Sequence, residues 1–161
     1  MSSSGQCKST STATVRLPAK PEPAIEVVAG GLFDAAGRVL IAQRPTGKPL
    51  AGRWEFPGGK LLDGEKPFAG LVRELREELG IAVRAATRLL RYSYRYPERT
   101  VWLDMWLVTD WSGEPHPHDG QALVWVDPSR LGEHDLLEAD RPIVEALRRR
   151  APHHLDEMRR D

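Results

Sequence analysis

Glu65, Arg73, Glu74, Glu77 and Glu78 lie within the 23-residue stretch GKLLDGEKPFAGLVRELREELGI, which runs from Gly59 to Ile81. Three of these acids, Glu74, Glu77 and Glu78, are spaced i, i+3 and i+4, so on a helix they are neighbours on one face. Like charges so placed destabilise a helix by ~0.2–0.5 kcal/mol per pair unless a cation sits among them. An oxygen-only ligand set suits a hard ion. Mg2+ binds through one or two carboxylates while sharing the phosphate oxygens of a substrate, and Mn2+ can substitute for it. The other use of such residues is a solvated charged face, with Arg73 paired to Glu77 and Arg76 to nearby acids. Gly58, Gly59 and Glu65 weigh for the metal. A charged face has no need of a Gly-Gly turn and an isolated acid upstream, whereas a loop that brings backbone carbonyls to an ion does.

The acids need a rigid element to carry them. Pro67 suits the first turn of a helix, because its fixed φ is helical and its missing N–H would be unpaired there anyway. From there Phe68, Val72, Leu75 and Leu79 recur at steps of four, three and four and predict one core-facing stripe. At 100° per residue the three acids then point about 135° away from that stripe, toward solvent or a cleft.

Around this helix the chain reads as mixed strands and helices. Residues 1 to 23, rich in Ser, Thr, Pro and Lys, read as a flexible arm. Strands are expected at Ile25 to Phe33 and Arg38 to Arg44, joined as a hairpin by a turn at Asp34 to Gly37. An exposed loop follows from Pro45 to Arg53, then a short strand from Trp54 to Phe56 that runs into a Gly58-Gly59 turn. After the acid-bearing helix come strands near Val83 to Tyr96, Thr100 to Asp110 and Ala122 to Val126, and a helix from about Arg141 to Arg150. The reading is one domain over residues 24–150, with 151–161 as a C-terminal tail.

Composition excludes more than it proposes. The 161 residues carry 23 basic and 23 acidic side chains, a formal net charge of zero, so there is no global electrostatic case for duplex nucleic acid or an anionic membrane. A polyanionic substrate must instead meet local lysines and arginines. The single cysteine, Cys7, rules out an intrachain disulfide and fits a reducing cytoplasm. No apolar run reaches the length of a membrane span, and the first 24 residues hold no leader-like apolar region.

The positions Gly59, Glu65, Arg73, Glu74, Glu77, Glu78 and Gly80, with Leu75 and Ile81 as aliphatic positions, resemble the Nudix box. The chain is similar to the Nudix hydrolase family over roughly residues 25 to 150. The resemblance implies an α/β/α fold, a mixed β-sheet sandwiched between α-helices, and metal-assisted attack of water on a diphosphate linkage. IAQRP (Ile41 to Pro45), GRWEFPGGK (Gly52 to Lys60), GEP (Gly113 to Pro115) and LLEADRPIVEAL (Leu136 to Leu147) look like the MutT-type branch. That branch implies a nucleoside triphosphate substrate, hydrolysed with Mg2+ at the β-phosphorus to a nucleoside monophosphate and pyrophosphate. By the same resemblance the metal falls to Glu74, Glu77, Glu78 and the Gly59 carbonyl. Arg73 orients a glutamate, Glu65 supports the site, and Arg44 and Lys60 meet phosphate.

One position departs from the MutT type. Val124 stands where that branch has a further glutamate, before the tryptophan that corresponds to Trp125, and GQALVW (Gly120 to Trp125) resembles the related CTP pyrophosphohydrolase branch instead. Glu77 or Glu78 is then the expected proton acceptor, with Glu114 and Asp119 as loop candidates. For the base, Phe56 matches an aromatic that packs on it, although a strand aromatic is also core material. Asp140 replaces an asparagine that reads the base, and it also stands two residues before Pro142, as an N-cap would. The preferred substrate is 8-oxo-dGTP, with modified cytidine triphosphates second. ADP-ribose or another diphosphate, and a non-catalytic sensor, are the remaining readings. His116, His118 and Asp119 read as a solvated turn, and the alternating Tyr92, Tyr94, Tyr96 and Trp102, Trp106 as cross-strand packing. Asp104 is open between solvent and burial, and Gly30-Gly31 marks a bulge or a close approach.

Overall fold

The computed structural model describes residues 24–157, so the expected arm at 1–23 and the last four residues lie outside it. Among the described residues seven strands form two sheets. A mixed sheet has the order β4-β1-β6-β5, built from β1 (Ile25–Gly31), β4 (Gly58–Lys60), β5 (Ala82–Arg95) and β6 (Thr100–Ser112). An antiparallel sheet has the order β3-β2-β7, built from β2 (Val39–Gln43), β3 (Trp54–Glu55) and β7 (Leu123–Val126). Helices α1 (Pro67–Leu79) and α2 (Arg141–Glu157) cover opposite faces. Strand alternation shows the layering: Val28 and Leu40 belong to the core under α1, whereas Ala29, Val39 and Ile41 belong to the core under α2. Both faces are covered, which is the expected α/β/α arrangement.

The hairpin expected at Ile25 to Arg44 forms only beside its turn, where Phe33 bridges Val39 in antiparallel fashion and the Leu40 N–H donates to the Leu32 carbonyl. Its turn closes, with the Asp34 N–H donating to the Arg38 carbonyl and the Asp34 carboxylate accepting from the Ala36 and Arg38 amides. The strands on either side then part. β1 is parallel to β6 and antiparallel to β4, while β2 pairs with β3 and β7, so the turn is a corner between two sheets. Gly58 and Gly59 also differ from expectation, lying in β4 rather than in a turn, opposite Ala29 and Val28. A Cβ on Gly58 would strike the Val28 carbonyl oxygen, so glycine is what lets β4 close on β1.

The stripe on α1 is displaced from the expected one. Leu71, Leu75 and Leu79 are fully buried, Val72 is half-buried, and Phe68 remains 37% exposed with its ring tilted against Trp106. Leu71 packs with Val28, Leu32 and Leu40 in the core under this helix, and Gly30 leaves room for Leu75, whose methyl group would lie 2.9 Å from a Cβ there. The Gly30-Gly31 pair is thus a close approach of helix to sheet. At its C-terminus α1 ends on Gly80, whose φ of 69° is left-handed and whose N–H donates to the Arg76 carbonyl. α2 continues to Glu157, past the expected end at Arg150. Asp104 is buried and accepts two 2.8 Å hydrogen bonds from Arg88, which settles its environment. Tyr92, Tyr94 and Tyr96 pack on Val101, Leu103 and Ala139, as cross-strand packing predicts.

Candidate active site

β4 and α1 meet at the wall of a cleft of about 740 Å3. Gly59 faces Glu74 so closely that a Cβ would overlap the Glu74 carboxylate, and the Gly58 N–H donates to the Glu78 carboxylate at 3.1 Å. Glu74 and Glu78, one helical turn apart, therefore both open on the cleft. Arg73 locks this wall. Its Nε and Nη2 donate to the two Glu65 oxygens at 2.8 and 2.9 Å, its Nη1 to Glu74 at 2.7 Å, and Nη2 also to the Lys60 carbonyl at 3.0 Å. Glu65 accepts a further bond from the Leu62 N–H, and the Arg73 hydrogen bonds hold its carboxyl down at about 2. Arg73 and Glu65 stand behind Glu74 and do not line the cleft.

Glu78 is in the opposite electrostatic state. Burial pushes its carboxyl up to about 8; the Gly58 N–H works against this, and the charges of Glu55 and Glu74 add to it. Such a group gains most from a proton or a cation. The donors here are all oxygen, two carboxylates beside a glycine backbone, which fits a hard divalent ion. Glu77 does not join them. Its side chain is 60% exposed and bound to Arg73 at 3.3 Å, so the expected convergence of three carboxylates reduces to two. Among the described residues no three acids or histidines are grouped closely enough to hold an ion by themselves. An ion at Glu74 and Glu78 would share its remaining positions with water and substrate, as Mg2+ does.

The facing wall comes from distant segments. Arg44 donates to Glu55 at 2.7 Å and to the Pro49 carbonyl at 2.7 Å, and Lys60 adds an exposed ammonium at the rim. Phe56 is both core and wall: it packs in the cluster under α2 and also lines the cleft. Asp140 is 5% exposed and lines the same space. Its carboxyl accepts from the Phe56 N–H, and burial, with the Glu55 charge adding, pushes it up to about 7. Asp140 also directly precedes α2, at the position of its N-cap.

The NUDIX domain model matches residues 23–147, most of the chain. This chain belongs to the Nudix family. It is 41% identical to the CTP pyrophosphohydrolase of Escherichia coli K12 over 123 residues, covering 76% of this chain and 90% of that one. It is 33% identical to the 8-oxo-dGTP diphosphatase of the same organism over 125 residues, covering 78% and 97%. The solution structure of the Escherichia coli ORF135 protein superposes with a TM-score of 0.72 at 39% identity, covering 80% of this chain and 91% of that one.

Within this Nudix domain the loop candidates fall away from the cleft. Glu114 and Asp119 are exposed and do not line it, and Val124 packs against the core under α2. His116 and His118 stack edge to face at the end of α1. Glu55 is the residue the sequence reading passed over. Burial raises its carboxyl despite the Arg44 bond, and its charge reaches both Glu78 and Asp140, so it links the two walls. The signal was an acid inside the apolar run WEF directly before Gly58. Tyr96 and Lys48, also missed, line the cleft from turns that carry no motif.

Proposed function

We propose that this Nudix domain is a Mg2+-dependent nucleoside triphosphate pyrophosphohydrolase, with Mn2+ able to substitute, acting on free nucleotides of the cytoplasm. The observation that carries it is one cleft holding Glu74 and Glu78 beside Gly58 and Gly59 together with Phe56 and Asp140. Among the described residues no helix is long and apolar enough to cross a membrane, in keeping with a cytoplasmic substrate. The ion, held by Glu74, Glu78 and the Gly59 carbonyl, with Glu77 once released from Arg73, would screen triphosphate charge and lower the pKa of water. Glu78, which opens on the cleft and is ionised when it holds the ion, is the proposed acceptor for the proton of the attacking water, and Glu77 is the alternative acceptor. Arg73, fixed by Glu65, keeps Glu74 aimed at the cleft. Arg44 and Lys60 meet the charge that develops on the leaving phosphates.

Phe56 offers its ring and Asp140 its carboxyl to the base. A carboxyl that is half protonated near neutral pH both donates and accepts. It can pair with the O6 and N7–H of 8-oxoguanine or with the N3 and N4–H of cytosine. 8-oxo-dGTP is the first-choice substrate. Cytidine triphosphates are the second, favoured by Val124 and by the 41% identity to a CTP pyrophosphohydrolase. Attack at the β-phosphorus breaks the bond to the α–β bridging oxygen, so turnover in 18O-water places the label in pyrophosphate. Label in the nucleoside monophosphate would overturn the assignment.

A further inference from the structure

The last turn of a helix leaves carbonyls without partners. In α1 that turn carries Glu77 and Glu78, and one surface loop supplies donors to it. The His118 ring Nδ1 lies 3.1 Å from the Glu77 carbonyl, and the His118 backbone N–H donates to the Glu78 carbonyl at 3.1 Å. Gln121 Nε2 also donates to the Glu78 carbonyl, at 3.4 Å, and the His116 N–H donates to the Leu79 carbonyl at 2.9 Å. Gly80 supplies the space, since a Cβ there would come within 2.7 Å of His118 Nε2. Gln121 is only 7% exposed, and its Oε1 accepts the Asp119 N–H at 3.0 Å, so its amide ties the loop to itself with one end and to the helix with the other.

We infer that His118 and Gln121 are positioning residues, which set the axial place and rotation of the catalytic turn through the carbonyls of Glu77 and Glu78. The inference rests on the catalytic reading of those two acids. Three features single the loop out: it touches the backbone of the residues that bear the carboxylates, it does not line the cleft, and two of its four donors, the His118 ring and the Gln121 amide, are side chains that can be exchanged while the backbone donors stay. With the Glu77 carbonyl as its partner, His118 holds its proton on Nδ1. A shift of the turn by a fraction of an ångström displaces Glu78 from the Gly58 N–H and from Glu74, and misplacement on that scale lowers rate more than binding.

The test uses His118→Ala, His118→Asn, Gln121→Glu and Gln121→Leu in the full chain, with melting temperature and circular dichroism as the check on folding. Asparagine can present an amide N–H near the Nδ1 position, and glutamate keeps the acceptor of Gln121 while removing its donor. We expect His118→Ala and Gln121→Glu to lower kcat about tenfold, with KM for the triphosphate within twofold. Mn2+ affinity, read by electron paramagnetic resonance without substrate, should weaken about tenfold, and His118→Asn should restore most of both. Folded variants with wild-type kcat and Mn2+ affinity would overturn the inference, as would equal loss in His118→Asn and His118→Ala. Glu78→Gln in the same assay separates the two claims: if it too is fully active, the catalytic reading fails and not merely the positioning role.

Discussion

The two walls of the cleft are built differently. One wall is a single strand-and-helix unit, in which Gly59, Glu65, Arg73, Glu74 and Glu78 lie within 20 consecutive residues and one guanidinium binds three carboxylates, those of Glu65, Glu74 and Glu77, and a carbonyl. The other wall gathers Arg44, Glu55, Phe56 and Asp140 from segments up to 96 residues apart, with burial rather than a local network setting their state. On the proposed function, local spacing sets the chemistry and tertiary packing sets the recognition. A substitution in the first wall should change rate or metal binding for every substrate, and one in the second should change which substrate is preferred.

Glu78→Gln bears hardest on that distinction. It keeps the Gly58 hydrogen bond but removes the charge and the proton acceptor, and kcat should fall ~10^3-fold on all nucleotides alike. A fall confined to one nucleotide, seen in steady-state kinetics, would erase the difference between the walls. Arg73→Lys comes next. Lysine cannot span both oxygens of Glu65 while binding Glu74, so metal affinity should drop roughly 10–100-fold, measured by Mn2+ titration, with KM ratios among nucleotides unchanged. Asp140→Ala should lower kcat/KM by roughly 10-fold or more for the preferred base, the worth of one charge-assisted hydrogen bond, and much less for the others. Uniform loss across bases would assign Asp140 to stability alone.

The smallest effect is on the pH profile of stability. Asp140 has its carboxyl raised from 3.8 to about 7 in the folded protein, so the folded state binds the extra proton in that window. Stability is then full below about pH 4 and is lost as pH rises toward 7, at no more than about 1.4 kcal/mol per pH unit for this group. Glu78, raised from 4.5 to about 8, has the same sign and its own window. Asp140→Asn should make the melting-temperature profile shallower between pH 4 and 7 and leave the part that Glu78 contributes between about 4.5 and 8. A profile of unchanged slope would mean that the carboxyl titrates normally.

How much of this could be read from the residues follows from the same contrast. The helix from Pro67 to Leu79 and the α/β/α class came through intact, and Gly59, Glu65, Arg73, Glu74 and Glu78 lie together as their spacing predicts. The displaced stripe did not, because Leu71 is buried by Val28, Leu32 and Leu40, which the helix meets only in the folded chain. The hairpin holds only next to its turn: the turn chemistry at Asp34 is sound and Phe33 bridges Val39, but beyond that point β1 and β2 pair with β4, β6, β3 and β7 rather than with each other. Glu77 shows the limit inside the motif itself. Periodicity puts it on the acidic side, and only the side-chain partners show that Arg73 draws it out of the cleft. Glu55 gains its meaning from Arg44, Glu78 and Asp140, none of which is its neighbour in sequence.

The most direct test of the account is the rate of pyrophosphate release with Mg2+ from 8-oxo-dGTP, dGTP, CTP, 5-methyl-dCTP and ADP-ribose, compared as kcat/KM. The account predicts turnover of triphosphates to monophosphate and pyrophosphate, with 8-oxo-dGTP preferred over dGTP and that preference reduced in Asp140→Ala. Absence of turnover on every triphosphate, or cleavage of ADP-ribose in preference to all of them, would contradict it.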